Sequence, residues 1–186
     1  MKNLFIAIAI LATSVINAQE FNGVPIDGDL TTFVTKLKAK GYTLKEYIDN
    51  GAILKGKIGT KDIEVFAFTT PKSKKVFKLS VYFPERTTWS FLKSEYEELV
   101  GVLTDKYGEA HSSYSTFKKP YYEGDGYEMS AVQLEKCNFA SYWIKQNNLT
   151  LAVEISKWKQ INITYENDKN MAIKQEEMRN LQNNSL

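Results

Sequence analysis

The residues that could do chemistry are few and lie far apart in the sequence. His111 is the only histidine and Cys137 the only cysteine, and neither stands in a local pattern typical of a catalytic nucleophile. A zinc site needs clustered ligands, which one histidine and one distant cysteine do not supply. A lone thiol in the apolar run "SAVQLEKCNFASYW" is typical of a small buried residue. The sequence therefore predicts no catalytic residue, no metal site and no cofactor.

Two sets of carboxylates leave alternatives open. Glu154 and Glu166 are expected on one face of neighbouring strands, where they resemble the carboxylate pair of a glycosidase. The loop "YYEGDGYE" places Glu123, Asp125 and Glu128 among glycines, and such oxygen ligands can hold calcium. Their spacing does not match the twelve-residue calcium loop. Hydrolysis by the glutamate pair and ion binding by the loop both stay open as alternatives.

The elements that must position these residues begin with a helix and a run of strands. Asp29 can cap the helix and Gly41 can end it, and its apolar stripe consists of Leu30, Phe33, Val34 and Leu37. The preceding "GVPIDGD" is expected to pack Val24 and Ile26 near the helix start. Four candidate strands follow with short turn-like separators: "YTLKEYI", "AILKGKI", "DIEVFAFTT" and "KVFKLSVYF".

The same order then recurs. Thr87 or Thr88 can cap a longer helix that ends at Gly108, with one apolar face made of Leu92, Tyr96, Leu99, Val100, Leu103 and Tyr107. After it come a strand around "SSYSTF", a helical or irregular piece "AVQLEKC", and the strands "FASYWIKQ", "LTLAVEIS" and "QINITYE". A helix followed by a meander thus occurs twice.

This order predicts an α+β fold, in which helices pack on one face of an antiparallel sheet. We expect a single domain over residues 19–166, with halves of about 19–85 and 86–166. Residues 167–186 are expected to form a polar tail or a short helix.

Alternation within the strands indicates which residues face solvent. In "VFKLSVYF" it puts Phe77, Leu79, Val81 and Phe83 on the core side and leaves Lys78 and Tyr82 outside. Glu154 and Thr164 take the outer positions of their strands. Exposed aromatic groups give large contact area at low entropic cost. The candidate binding residues are therefore Lys78, Tyr82, Glu154 and Thr164, with Trp158 at the rim in the turn "SKWKQ".

The first 18 residues have the pattern of a secretory signal. Lys2 precedes an apolar run from Leu4 to Ile16, and Ala18 is a small residue at which a signal peptidase can cut. The run is shorter than the ~20 residues that cross a bilayer. We therefore expect an exported protein, periplasmic or secreted after cleavage near Ala18, with no transmembrane segment in the mature chain.

The charge composition argues against nucleic acid as a partner. The formal net charge is only +2, and the basic residues are nearly all lysine. Arg86 and Arg179 are the only arginines, so the forked contacts that arginine makes with phosphate and guanine are scarce. A net charge this close to zero does not indicate whether a partner is acidic or basic.

Several stretches carry a resemblance to known proteins. "FNGVPIDGDLTTFVTKLKAKGY", "VYFPERTTWSFLKSEYEELVGVLTDKYGE" and "LEKCNF" are similar to a group of small exported proteins of unknown function from Bacteroidota. The helix-then-meander repeat resembles beta-lactamase-inhibitor-like modules and outer-membrane assembly lipoprotein (BamE-type) modules, which are binding folds. The chain lacks the disulfides of the former and the lipidated cysteine of the latter.

The first hypothesis for function is an exported, non-enzymatic module that binds a protein or glycan partner in the cell envelope through its open sheet face. The alternatives are a glycan-directed hydrolase with a carboxylate pair and a purely structural envelope protein.

Overall fold

The computed structural model describes residues 20–145 and 149–183. The predicted signal sequence with Lys2 and Ala18 lies outside the described residues. The helices are α1 (Leu30–Ala39), α2 (Trp89–Tyr107), α3 (Glu128–Gln133) and α4 (Asp168–Asn183). The strands are β1 (Glu20–Phe21), β2 (Val24–Pro25), β3 (Thr43–Ile48), β4 (Gly51–Ile58), β5 (Lys61–Thr69), β6 (Val76–Tyr82), β7 (Ser112–Phe117), β8 (Cys137–Lys145), β9 (Leu149–Ile155) and β10 (Ile161–Asn167).

Eight of these strands form one antiparallel sheet in the order β3-β4-β5-β6-β10-β9-β8-β7, while β1 and β2 pair separately. Each half contributes a helix and a four-stranded meander. The two meanders meet through their last strands, β6 and β10, whose register runs from Tyr82 opposite Asn162 to Lys78 opposite Glu166. The predicted α+β class, with a helix-then-meander order in both halves, is confirmed.

The start of α1 and both ends of α2 lie at capping residues that the sequence predicted. The Asp29 side chain accepts a hydrogen bond of 2.9 Å from the Thr32 N–H and so caps α1. Thr88 is the N-cap residue of α2, but its side chain makes no capping hydrogen bond. Gly108 ends this helix at a φ of +82°, a backbone region that residues with a Cβ rarely adopt.

Helices α1 and α2 pack on one side of the sheet, which we call the core face. The apolar stripes of both helices belong to the same buried cluster as strand residues such as Leu54, Val65, Leu79 and Val153. Val24 and Ile26 are buried in this cluster at 2% and 1% exposure, so "GVPIDGD" serves assembly. Tyr96 of α2 also shares a buried hydrogen bond of 2.8 Å with Ser141 of β8.

Phe77 is buried as predicted, at 8% exposure, but it lies outside the main core cluster that contains Leu79 and Val81. The register between β5 and β6 shifts, because Val76 pairs with Thr69 while Lys78 pairs with Phe68. Phe77 is therefore the extra residue of a β-bulge, and Val76 occupies the core position, fully buried. Lys174 of α4 places its Nζ 5.7 Å from the centre of the Phe77 ring, so this ring packs under α4 instead.

The C-terminal segment forms α4, a helix that docks on the sheet through polar contacts. Asn170 is 4% exposed and donates bonds of 2.8 Å to the Val76 carbonyl and to Asp27. Glu177 accepts hydrogen bonds from the backbone N–H groups of Lys72 and Ser73 in the β5–β6 turn. Among the residues that the structure describes, no helix is both long and apolar enough to cross a membrane.

Candidate functional site

The side of the sheet opposite the core face, here called the open face, presents three rows of side chains in register. The first row, next to the β9–β10 turn, contains Lys55, Glu64, Tyr82, Asn162, Glu154, Ala140 and Tyr114. The second row contains Ile53, Phe66, Ser80, Thr164, Ala152, Tyr142 and Ser112. The third contains Phe68, Lys78, Glu166, Thr150 and Ile144.

The candidate residues from the sequence are distributed over these rows. Tyr82 and Glu154 lie in the first row, Thr164 in the second and Lys78 in the third. Trp158 is 64% exposed in the turn between β9 and β10, beyond the first row. These residues share one side of the molecule but do not form one contact cluster, because the first and third rows are four residues apart along each strand.

The contacts of helix α4 on this side lie beside the third row. It contacts Phe77 through Lys174, and Asp168 accepts a hydrogen bond of 3.3 Å from Thr150. The third-row Lys78 is itself engaged in an ion pair of 3.0 Å with Glu166. Because α1 and α2 pack on the core face, the first and second rows of the described sheet lie away from these helices.

In the first half of the chain the open face is aromatic. The Phe66 ring stands edge-on to Tyr82 at 5.3 Å between centroids and stacks near Phe68 at 6.4 Å. Ile53, opposite Phe66, is only 7% exposed. The sequence did not single out Phe66 or Phe68, because "DIEVFAFTT" is apolar at both parities and alternation gives no phase for such a strand.

In the second half the open face is mixed. The rings of Tyr114 and Tyr142 meet edge-on at 6.2 Å between centroids. Asn162 donates a hydrogen bond of 2.9 Å to Glu154 Oε1. Burial raises the pKa of the Tyr142 hydroxyl, and the negative charge of Glu154 raises it further. Tyr114 and Asn162 were not predicted as site residues; only the cross-strand register brings them to Glu154.

A groove of about 710 Å³ adjoins the first row at Tyr82. Its walls include the end of α1, the β4–β5 hairpin and the segment after β6, with lining residues such as Lys40, Lys55, Glu64, Tyr82, Pro84 and Gln160. Glu64 forms ion pairs with Lys45 at 3.1 Å and Lys55 at 3.8 Å. The groove therefore extends the open face with a surface of mixed charge.

A second charged cluster lies away from the open face, around Glu95 of α2. This side chain is 5% exposed and accepts two bonds of 2.7 Å from the Arg86 guanidinium, while Lys61 Nζ lies at 3.1 Å. Burial alone would raise the pKa of Glu95, but Arg86 and Lys61 hold it below its usual value. The three residues come from β5, the β6–α2 connection and α2, so the cluster ties these segments together.

Cys137 and His111, which have the most reactive side-chain types, do not lie in a common site. Cys137 is half-buried against the core cluster, and burial raises the pKa of its thiol to about 11, so it is a protonated thiol at neutral pH. His111 is exposed and directly precedes β7, whose first residue, Ser112, pairs with Tyr142 of β8.

The carboxylates of the "YYEGDGYE" loop are used to hold the loop itself. Asp125 accepts hydrogen bonds from the N–H groups of Tyr122 and Tyr127 at 3.0 and 2.7 Å. Glu128 accepts one from the Gly124 N–H at 2.7 Å, and Glu123 pairs with Lys93 of α2. Within residues 20–145 and 149–183, no group of three His, Cys, Asp or Glu side chains is arranged to hold a metal ion.

The glutamate pair does not have the spacing of a glycosidase. Glu154 lies opposite Asn162 and Glu166 opposite Thr150, so four residues of strand separate their positions, about 13 Å at the usual rise per residue. Glycosidase carboxylates stand roughly 5 to 9.5 Å apart. Glu166 is also bound to Lys78 at 3.0 Å. This geometry gives the hydrolase alternative no support.

Comparison with known proteins adds no relative. No protein-family model matches the chain, and neither the curated proteins nor the solved structures give a significant match.

Proposed function

We propose that the protein is an exported, non-enzymatic binding module that engages a protein partner of the cell envelope through the first and second rows of the open face. The export part rests on the signal-like N-terminus of the sequence. The binding part rests on the side chains that the sheet presents.

The observation that carries this proposal is the composition of the first and second rows, which lie away from the contacts of α4 beside the third row. They combine aromatic side chains, Phe66, Tyr82, Tyr114 and Tyr142, with the charged Glu154 and the polar Thr164. Tyrosine and tryptophan are enriched among residues that dominate binding energy. A rigid antiparallel sheet holds such groups in fixed positions, which lowers the entropic cost of association.

The resemblance to small exported Bacteroidota proteins and to beta-lactamase-inhibitor-like and BamE-type modules fits this proposal at the level of architecture. A fold of this kind hosts many functions, so the argument rests on the open face. Trp158, exposed in the β9–β10 turn, would contact the edge of the same partner.

Capture with immobilised protein from envelope extract of the producing cells, followed by reconstitution with the purified partner, tests the proposal. We expect Tyr82→Ala and Tyr142→Ala each to weaken binding of the partner. Val102→Ala is the matched control, since Val102 is 56% exposed on α2 and lies on the other side of the molecule. Equal binding by all three variants would contradict the assignment of the surface.

A hydrolase assay tests the main alternative, a glycan-directed hydrolase. Turnover of any substrate in a glycan panel by the wild-type protein, abolished in Glu154→Gln, would overturn the non-enzymatic part of the proposal. A protein that captures no partner and turns over no glycan would instead match the structural envelope protein considered from the sequence.

A further inference from the structure

The carboxylates of the open face differ in how their charge is neutralised. Glu64 has Lys45 and Lys55 within 3.1 and 3.8 Å, and Glu166 has Lys78 at 3.0 Å. Glu154 is partly buried on the same face, yet no cation of the described residues pairs with it. It accepts a hydrogen bond from the neutral amide of Asn162, which donates to Oε1 at 2.9 Å. A partly buried charge without a counter-ion is costly unless a ligand supplies one.

One side-chain atom of the neighbouring Asn162 lacks a hydrogen-bond partner among the described residues. Asn162 is 5% exposed, and its Nδ2 group is shared between Glu154 and the Thr164 hydroxyl. Its Oδ1 atom is buried and accepts no hydrogen bond. Buried acceptors in folded proteins are nearly always satisfied, so the Glu154–Asn162 pair is incompletely hydrogen-bonded, and the carboxylate of Glu154 is the acceptor that a ligand would reach.

Two aromatic residues lie near this site, on the next two strands of the sheet. Ala140 lies opposite Glu154, Tyr142 is two residues further along β8, and Tyr114 faces Ala140 from β7. Ala140 is only 2% exposed, so longer neighbouring side chains lie over it. A carboxylate that lies near two packed tyrosine rings can attract an organic cation, through charge and through the ring quadrupole.

We propose that Glu154, Asn162, Tyr142 and Tyr114 form a recognition site for a guanidinium group, the side chain of an arginine presented by the protein partner. This inference rests on the proposed binding function and specifies the chemistry of the partner. Guanidinium suits the site better than a metal ion, because one carboxylate and one amide oxygen are too few ligands for a metal. It is planar, carries donors in a fork that fits a carboxylate, and stacks on aromatic rings.

Titration of the ¹⁵N-labelled protein with Nα-acetylarginine amide, followed by NMR, tests the site. Saturable shifts should appear at residues 140–142, 152–154 and 162–164. The neutral isostere Nα-acetylcitrulline amide should produce no saturable shifts there. Glu154→Gln should weaken arginine binding about tenfold or more, as expected for loss of a charge-assisted pair, and Tyr142→Leu should weaken it independently of charge. Glu46→Gln, which removes a charge from β3 on the same sheet, should bind like the wild type.

Absence of saturable shifts, equal binding of the citrulline compound, or unchanged binding in Glu154→Gln would each overturn the guanidinium site. These results are separable from the proposed function. If the captured partner still depends on Tyr82 while arginine binding is absent, the open face binds by other contacts. If arginine binds as described but no partner depends on Tyr82 or Tyr142, the site stands and the envelope-partner proposal fails.

Discussion

The core face and the open face of the sheet differ in which side chains they bury and in what packs on them. On the core face, α1 and α2 cover the strands, and residues such as Leu54, Leu79 and Leu151 are fully buried. On the open face, the small side chains of Ser80 and Ala152 are 4% and 8% exposed in a row that also holds Phe66, Thr164 and Tyr142. A face that is shielded only by its own side chains can exchange those contacts for contacts with a partner.

A second difference separates the two halves of the open face. In the first half, Phe66, Phe68 and Tyr82 pack on each other, and Glu64 is neutralised by lysines. In the second half, Glu154 has no cation among the described residues and Asn162 Oδ1 has no donor. In the first half, the rings and charges thus find partners within the chain. In the second half, the charge of Glu154 is left for a ligand to neutralise.

The largest expected effect belongs to the core face. Leu103 is 6% exposed on α2 within the buried cluster, so Leu103→Ala should lower the free energy of unfolding by ~2–5 kcal/mol. Val102→Ala changes the neighbouring, exposed position of the same helix and should stay within about 0.5 kcal/mol. Chemical denaturation of both variants measures the difference, and similar values would show that the packed face of α2 is assigned incorrectly.

The next effect concerns the cluster around Glu95. Arg86→Met leaves a buried carboxylate with Lys61 alone and should cost about 3 kcal/mol. Lys93→Ala is the control, because Lys93 pairs with the exposed Glu97 and Glu123, and loss of exposed pairs costs ~1 kcal/mol or less. A cost for Arg86→Met no larger than that of the control would mean that the cluster does not hold the fold together.

The same cluster predicts a dependence of stability on pH. The folded-state pKa of Glu95 lies below its usual value of 4.5, so its contribution is fully present above that value and is lost as the pH falls through the folded-state pKa. Glu95→Gln should therefore show a shallower loss of unfolding free energy in acid than the wild type. Urea titrations at a series of acidic pH values measure this slope, and an unchanged slope would contradict the assignment.

The sequence predicted the class of the fold and some residues of the candidate site, for physical reasons. Asp29 and Gly108 mark helix ends through local chemistry, and the alternation of Leu79 and Val81 marks a strand face; all of these are local signals. The β-bulge at Phe77 and the pairing of β6 with β10 depend on contacts between distant segments. Asn162 and Tyr114 share a row with Glu154 only through the registers of β9–β10, β8–β9 and β7–β8, so no local pattern could identify them.

A smaller effect tests whether the first half of the open face stabilises itself. Tyr82 is partly exposed and packs edge-on against Phe66, and such aromatic pairs contribute about 0.5–1.5 kcal/mol beyond burial. Tyr82→Ala should therefore lower the unfolding free energy by about 1 kcal/mol while weakening partner binding more strongly. A loss of several kcal/mol, as for a fully buried aromatic residue, would show that this face is closed and would remove Tyr82 as a binding residue.

The smallest expected effect distinguishes a site held for a ligand from a site held for the fold. Glu154→Gln keeps an oxygen that can accept the Asn162 hydrogen bond and removes only the charge. Because no cation of the described residues pairs with this carboxylate, the unfolding free energy should change by less than about 0.5 kcal/mol, or increase, since a partly buried charge is removed. Denaturation of Glu154→Gln beside Glu46→Gln measures this. A loss above about 1 kcal/mol confined to Glu154→Gln would mean that the charge at Glu154 already has a stabilising partner within the chain. The carboxylate would then not need an arginine as its counter-ion, and the proposed site would fail.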